Sequence, residues 1–109
     1  MPTTPDQYFA SMPAAFQPER AKTLRVTYQF DLTGEGGGKW FVRIHDGELE
    51  VGQGERPEPD VTFRAEAKDY VAVAEGRMNP MLALATRKFR IEGNMGLAMK
   101  LQKIFKRPG

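Results

Sequence analysis

The most suggestive chemical pattern in this chain is the segment of residues 34–39, GEGGGK, where four glycines precede a lysine. Glycine-rich loops of this kind bind phosphate when four residues separate two glycines, Ser or Thr follows the lysine, and a helix begins there. Here only three residues separate Gly34 from Gly38, and Trp40 follows Lys39 at the start of a strand-like run. The segment therefore predicts the bend of a wide hairpin with positive backbone angles.

A second group that could support catalysis or metal binding consists of His45, the single histidine, and the nearby carboxylates of Asp46, Glu48 and Glu50. Paired carboxylates can act as acid and base, and carboxylate oxygens bind hard cations. However, carboxylates that alternate along a strand are typical of its solvated face, and the chain has no cysteine nucleophile. We therefore predict no catalytic site, no metal site and no cofactor.

The charge distribution is uneven along the chain. Residues 1–86 hold nine basic and thirteen acidic side chains, whereas residues 87–109 hold seven basic side chains and only Glu92 as an acid. A basic end on an acidic body favours an anionic partner, although lysines on a helix are commonly just its solvated face. Nucleic-acid binding is disfavoured, because the basic residues are not interleaved with exposed aromatic residues.

The length of 109 residues predicts one domain with one hydrophobic core, spanning residues 1–109. No apolar run approaches the roughly 20 residues that a membrane span requires. The first residues lack the basic and apolar segments of a signal peptide. We therefore expect a cytoplasmic location.

The elements that would position any site follow from local patterns. Thr4-Pro5-Asp6-Gln7 has the form of a capping box and predicts a helix, which Pro13 should kink or divide. Residues 24–32 alternate between apolar and polar, as do residues 40–44, and Asp46-Gly47 is a common hairpin turn before a third run. These three runs predict an antiparallel meander.

The remaining chain predicts two more strands and three helices. Val61, Phe63 and Ala65 indicate a fourth strand, and Phe89 and Ile91 a short fifth one. A helix over residues 68–75 should end at Gly76. Residues 81–85, MLALA, are apolar on every side, so we expect that helix to be buried or to line an apolar space.

In this order, these pieces resemble the sterol carrier protein type 2 (SCP2) domain family. The resemblance lies in YFASMPAAF with PERA, in FDLTGEGGGKWFVRIHDGELEV, in PDVTFRAEAKDY leading to EGRMNPMLALA, and in KFRIEGNMGLAMKLQKIF. It covers nearly the whole chain. The chain departs from the family pattern at Arg87, where glycine is common, and at Asn94, where aspartate is common.

The resemblance implies an α+β fold in which helices cover a five-stranded, mostly antiparallel sheet and leave an internal apolar cavity or tunnel. It implies non-catalytic intracellular binding or transfer of a fatty acid, fatty acyl-CoA, sterol, isoprenoid or phospholipid. The alternative is an accessory module that docks onto a lipid-modifying or lipid-biosynthesis enzyme. A small hydrolase is disfavoured by the missing nucleophile and base.

The expected ligand contacts are apolar residues of the helices, together with Trp40 on the sheet. They are Phe9, Met12, Phe16, Trp40, Tyr70, Met78, Met81, Leu82, Leu84, Ala85, Leu97, Leu101, Ile104 and Phe105. Methionine adapts to a cavity of changing shape, so the five internal methionines are compatible with such a cavity, although periodicity alone favours ordinary core residues. The last helix is expected to act as a lid. Its basic residues would contact anionic headgroups, a membrane surface or acyl-CoA phosphates, and they are Lys100, Lys103, Lys106 and Arg107.

Overall fold

A five-stranded sheet forms the centre of this computed structural model, which describes residues 4–105 apart from the side chain of Gln102. The strands are β1 (Arg25–Thr33), β2 (Gly38–His45), β3 (Glu48–Gln53), β4 (Val61–Glu66) and β5 (Phe89–Gly93). The helices are α1 (Pro5–Ala15), α2 (Ala67–Ala74), α3 (Pro80–Ala85) and α4 (Met95–Ile104), with a 3₁₀ turn at Pro18–Arg20.

The sheet has the strand order β3-β2-β1-β4-β5. The pairs β1–β2, β2–β3 and β4–β5 are antiparallel, whereas β1 and β4 pair in parallel. The predicted meander of the first three strands is thus present, and β4 returns to the free side of β1. The prediction of an α+β fold with a mostly antiparallel sheet is confirmed.

The two faces of the sheet differ in polarity. Phe30 of β1 lies opposite Trp40 of β2 and Phe63 of β4, and all three are buried on the face that the helices cover. The other face carries mostly polar side chains, such as Arg43, and has no helix packed over its centre in the described residues. We call these the core face and the polar face.

Asp60 joins β1, β4 and the end of β5 immediately before β4 begins. Its side chain accepts a 2.8 Å hydrogen bond from the amide of Thr27, and its own amide donates to the Thr27 carbonyl oxygen at 2.9 Å. Its carbonyl oxygen accepts from the amide of Asn94 at 3.1 Å. Gly93 lies so close that a Cβ there would collide with the same carbonyl oxygen, so this junction requires glycine.

Local capping signals place the helix ends where the sequence predicts them. Thr4 and Gln7 form the reciprocal capping box of α1, and Asn79 and Asn94 cap α3 and α4 through their side-chain oxygens. Pro13 does not divide α1, which continues for two further residues and ends before Phe16. Of the two expected effects of Pro13, division of the helix was therefore wrong, because Pro13 is close enough to the end for its lost hydrogen bond to be tolerated, and the kink stays a prediction.

Candidate functional site

Aromatic rings fill the space between the core face and helices α1 and α2. Phe9 stacks on Trp40 with ring centroids 5.2 Å apart and on Tyr70 at 6.2 Å, and it meets the edge of Phe30 at 4.9 Å. Tyr70 also stacks on Phe89 at 5.8 Å. This arrangement makes a continuous apolar surface from α1 across the sheet to its edge strand.

The polar groups of this interior are tyrosine hydroxyls. The hydroxyl of Tyr28 donates a 2.6 Å hydrogen bond to the carbonyl oxygen of Leu97, and the hydroxyls of Tyr8 and Tyr70 bond to each other. Burial raises the pKa of all three phenols, and for Tyr28 the charge of Asp60 adds to the effect. These groups are neutral hydrogen-bonding partners at ordinary pH, so the interior favours an uncharged guest.

Helix α4 covers one end of this interior. Leu101 and Ile104 are buried in the core, and the carbonyl oxygen of Ile104 accepts a 2.9 Å hydrogen bond from the amide of Gln17. The rings of Phe16 and Phe105 lie 5.6 Å apart at the end of the helix. With the Tyr28–Leu97 bond at its start, α4 is attached near both ends.

Helix α3 differs from the expectation of a buried helix. Ala83 is buried against the core, but Met81 and Leu82 expose 69% and 63% of their surface, and Ala85 is also exposed. The expectation that this helix is buried was wrong for these three residues, whereas the alternative, that the helix lines an apolar space, stays a prediction. A helix of six residues offers the core only one short face, so an apolar sequence leaves its remaining side chains in solvent.

The exposed side of α4 combines methionines with lysines. Met95 and Met99 are 50% and 58% exposed, and Lys100 and Lys103 are exposed beside them. Neither lysine forms an ion pair with any residue in the range 4–105. The other two predicted basic contacts, Lys106 and Arg107, lie outside the described residues.

Two open clefts lie on the polar face. The first, of about 530 Å³, is bordered by the ends of β1 and β4, the start of α2 and residues 87–90. The second, of about 490 Å³, lies under the loop of residues 54–60. None of the predicted apolar contacts lines either cleft, so both are distinct from the interior described above.

Comparison with known families identifies the domain that encloses this apolar interior. Residues 6–106 match the SCP-2 sterol transfer family. The chain belongs to this family. The match runs from α1 to α4, and so covers the helices that border the interior.

A relative of this SCP-2 domain is the hydroxysteroid dehydrogenase-like protein 2 of Xenopus tropicalis, which is 37% identical over 97 residues. The match covers 88% of this chain and 23% of that protein. The chain thus spans about a quarter of the length of the curated relatives it matches.

Solved structures share the same fold. The sterol carrier protein domain 2 of Helicoverpa armigera is 34% identical, with a TM-score of 0.65 over 77% of this chain and 68% of that one. The palmitated SCP2L2 of Aedes aegypti has a TM-score of 0.70 at 23% identity, covering 95% and 94% of the two chains. The sec-alkylsulfatase Pisa1 from Pseudomonas sp. has a TM-score of 0.84 at 15% identity, covering 98% of this chain and 17% of that one.

The SCP-2 fold brings together only part of the predicted ligand contacts. Phe9, Met12, Trp40, Tyr70, Leu101 and Ile104 are buried in one core cluster. Around them, half-buried, lie Phe16, Met78, Leu84, Leu97 and Phe105. Met81, Leu82 and Ala85 lie on the outside of α3, so their contact with a ligand stays a prediction.

Sequence reasoning missed the polar residues that organise this domain. Tyr28 was assigned only to a half-buried strand, although its hydroxyl holds α4. Gln29 is 4% exposed, although its position in the alternating pattern predicts a solvated side chain. It donates to the carbonyl oxygens of Trp40 and Gly54 and accepts a 2.8 Å bond from the amide of Arg56. The loop of residues 54–60, which contains Pro57 and Pro59, gave no signal that it would fold back over a strand.

The chemistry that this site can perform is binding. The interior combines apolar walls with neutral hydroxyls, and Gln29 is the only buried polar residue recorded in the described part of the chain. No helix among residues 4–105 is long and apolar enough to cross a membrane. An apolar molecule with a small polar head fits these properties.

Proposed function

We propose that this SCP-2 domain binds one lipid molecule between its core face and its helices, and transfers it without covalent change. The observation that carries the proposal is the aromatic interior, whose polar groups are tyrosine hydroxyls. Membership of the SCP-2 sterol transfer family supports it, as does the palmitated state of the Aedes aegypti relative. Fatty acids, acyl-CoA, sterols, isoprenoids and phospholipids are the candidate ligands.

The energetics of a cavity favour a carrier that closes when it is empty and opens around its ligand. A lipid needs a cavity on the order of 300 Å³. At about 24 cal/mol per Å³, an empty rigid cavity of that size would cost about 7 kcal/mol, which is comparable to the stability of a small domain. An empty domain therefore closes inward, and the half-buried Met78, Leu97 and Phe105 are the side chains that must move first.

We assign the opening movement to α4. One hydrogen bond attaches this helix near each end, and Leu101 packs its middle into the core. Breaking the Tyr28–Leu97 hydrogen bond frees the first turn of α4 without unpairing any strand. A charged head would remain at the rim, since the interior offers it no opposite charge. The exposed Lys100 and Lys103 of α4 would then contact a phosphate, a carboxylate or an anionic membrane surface, and Lys106 and Arg107 extend the same basic sequence.

Native mass spectrometry and organic extraction of freshly purified protein test this function. We expect an added mass of one lipid per chain, and a melting temperature that rises with ligand concentration through mass action. Leu101→Trp, which fills the interior beneath α4, should reduce ligand uptake. Met99→Trp, on the exposed side of the same helix, is the matched control. Protein without added mass that also shows no thermal shift with fatty acids, acyl-CoA or isoprenoids would refute lipid carriage.

A second candidate is an accessory module that docks onto a lipid-modifying or lipid-biosynthesis enzyme. The observation that favours it is the length of the relatives, in which the matching domain makes up about a quarter of the chain. In this role the exposed Met81 and Leu82 of α3 would contact the enzyme. Pull-down of a stable partner that is lost with Met81→Lys, together with empty organic extracts, would favour this module over an independent carrier.

A further inference from the structure

The larger cleft on the polar face, of about 530 Å³, concentrates positive charge. Five basic side chains line it, and they are Arg64, Lys68, Arg87, Lys88 and Arg90. Its acidic lining residues are Asp31, Glu66 and Asp69, which leaves a net positive charge. We call this space the basic cleft.

Ion pairs within the basic cleft compensate only some of its cations. Arg64 contacts Asp31 at 2.6 Å and Glu92 at 3.0 Å, and Lys68 lies 3.6 Å from Glu66. Arg87, Lys88 and Arg90 form no ion pair with any side chain among residues 4–105. The uncompensated charge therefore lies on the side of the cleft formed by the α3–β5 turn and β5.

Arg90 occupies a position that is unfavourable for the sheet alone. In the antiparallel register of β4 and β5 it lies directly opposite Arg64. Like charges at directly opposed positions destabilise a strand pair. Since Arg64 is already held by two carboxylates, the guanidinium of Arg90 is the one left for an outside partner.

Arg87 adds a second unfavourable feature at the same place. Its φ of 61° lies in the left-handed region, just after the C-cap residue Thr86, where glycine is the preferred residue. The turn is closed by bonds from the amides of Arg87 and Lys88 to the carbonyl oxygens of Leu84 and Ala83. An arginine there strains the backbone and gains no ion pair within the described residues, while it places a guanidinium on the wall of the cleft.

We propose that the basic cleft binds a phosphate-bearing group with at least two negative charges, such as a phosphomonoester or a pyrophosphate. Guanidinium groups match phosphate oxygens with two parallel hydrogen bonds, and three uncompensated cations favour a multivalent anion over a single carboxylate. The start of α2 borders the cleft through Glu66, Lys68 and Asp69, and the side chain of the N-cap residue Glu66 makes no capping hydrogen bond. The cleft is large enough to hold other parts of the ligand besides its phosphate.

This site is separate from the lipid site, because it lies on the opposite face of the sheet and shares no predicted apolar contact with it. The phosphate could belong to a soluble molecule or to a lipid headgroup. The same side chains would recognise the phosphate in both cases. Pyrophosphate tests for a soluble ligand, and vesicles test for a lipid headgroup. Failure of lipid carriage therefore leaves this proposal unaffected.

Titration calorimetry with pyrophosphate and sedimentation with vesicles test the basic cleft. We use vesicles of phosphatidylcholine containing either phosphatidic acid, a phosphomonoester, or phosphatidylserine. We expect binding that weakens with added salt and is weakened roughly tenfold by Arg90→Gln, which removes a charge-assisted hydrogen bond. Arg20→Gln, in the exposed 3₁₀ turn outside the cleft, removes the same charge and should leave binding nearly unchanged.

Arg87→Gly distinguishes a binding role from a structural one. It should raise the melting temperature without ligand, because glycine adopts the left-handed angle without strain, and yet weaken binding about as much as Arg90→Gln. The expected pattern is binding that is weakened by Arg90→Gln and Arg87→Gly but not by Arg20→Gln. Pyrophosphate binding with this pattern supports a soluble ligand. Binding only to phosphatidic acid vesicles with this pattern supports a lipid headgroup. The proposal is overturned if neither pyrophosphate nor phosphatidic acid vesicles bind, if Arg20→Gln weakens binding as much as Arg90→Gln, or if pyrophosphate does not bind and both vesicle types bind equally.

Discussion

The hydroxyl of Tyr28, in the middle of β1, donates a 2.6 Å hydrogen bond to the backbone carbonyl oxygen of Leu97 in the first turn of α4. These residues are 69 positions apart in the chain. The bond is the attachment between the sheet and the start of the helix that would have to move for a lipid to enter. Its removal is therefore the most direct way to change the mobility of α4 while keeping the shape of the core.

Tyr28→Phe should reduce the free energy of unfolding by about 1 kcal/mol, because one hydrogen bond is lost and the ring is kept. It should also accelerate hydrogen exchange in α4 and lipid exchange. Tyr8→Phe, which removes a hydroxyl between α1 and α2, is the matched control and should leave α4 exchange unchanged. Equal exchange of α4 in both variants would show that Tyr28 does not hold this helix.

Stability should fall at alkaline pH. The pKa values of Tyr8, Tyr28 and Tyr70 are all raised in the folded state, with burial as the largest cause, whereas unfolded tyrosine ionises near pH 10. Above about pH 10 the folded state therefore binds more protons than the unfolded state, so the free energy of unfolding decreases as pH rises. Below that pH these groups give no pH dependence.

Urea denaturation between about pH 9 and pH 12 measures this effect, because the change of the free energy of unfolding with pH gives the number of protons released on unfolding. Tyr28→Phe should lower the number of protons released on unfolding by about one. If the free energy of unfolding of that variant changes with pH as steeply as that of the parent protein, the pKa of Tyr28 is not raised.

Gln29→Met should destabilise the domain by about 2–3 kcal/mol, although methionine has a similar size. It leaves the carbonyl oxygens of Trp40 and Gly54 and the amide of Arg56 without their side-chain partner. Gln53→Met, at an exposed site, removes one bond to Asp6 and should change stability by less than about 0.5 kcal/mol. Urea denaturation compares the two, and similar losses would show that the Gln29 contacts contribute little.

Lys100→Glu with Lys103→Glu should weaken binding to phosphatidylglycerol vesicles, if α4 meets an anionic surface. Each lysine near such a surface contributes roughly 1 kcal/mol, so reversing both charges should lower affinity more than tenfold at low salt. Vesicle sedimentation measures the change. Lys22→Glu, exposed near the 3₁₀ turn, is the control, and binding that is indifferent to salt and to the α4 substitutions would exclude this contact.

The sequence predicted elements that depend on neighbouring residues. The Thr4–Gln7 capping box, the Asp46-Gly47 turn and the alternation through β1 and β2 are all present. Gly34 and Gly36 have φ of 82° and 76°, which confirms the hairpin interpretation of the glycine-rich segment. Each of these features is determined by contacts over a few residues, so the local pattern is sufficient.

Features that depend on distant contacts were not predictable from local patterns. The parallel pairing of β1 with β4 brings together residues 33 positions apart, and Gln29 is buried only because a later loop folds over it. The exposure of Met81 and Leu82 follows from the shortness of α3, which the apolar sequence does not reveal. For the ligand contacts, apolar type indicates a core or a cavity equally well.

The parallel β1–β4 ladder has a consequence for how the chain folds. The hairpins β1–β2 and β2–β3 close over short turns. The pairing of β4 with β1 instead closes a longer loop, which contains β2, β3 and residues 54–60. Closing a longer loop costs more chain entropy before any native contact compensates for it. We therefore expect the docking of β4 at Asp60 to be the slow step. Asp60→Ala should then slow refolding, and a substitution in the β2–β3 turn should also slow refolding with little effect on the unfolding rate, because this turn is already formed when β4 docks.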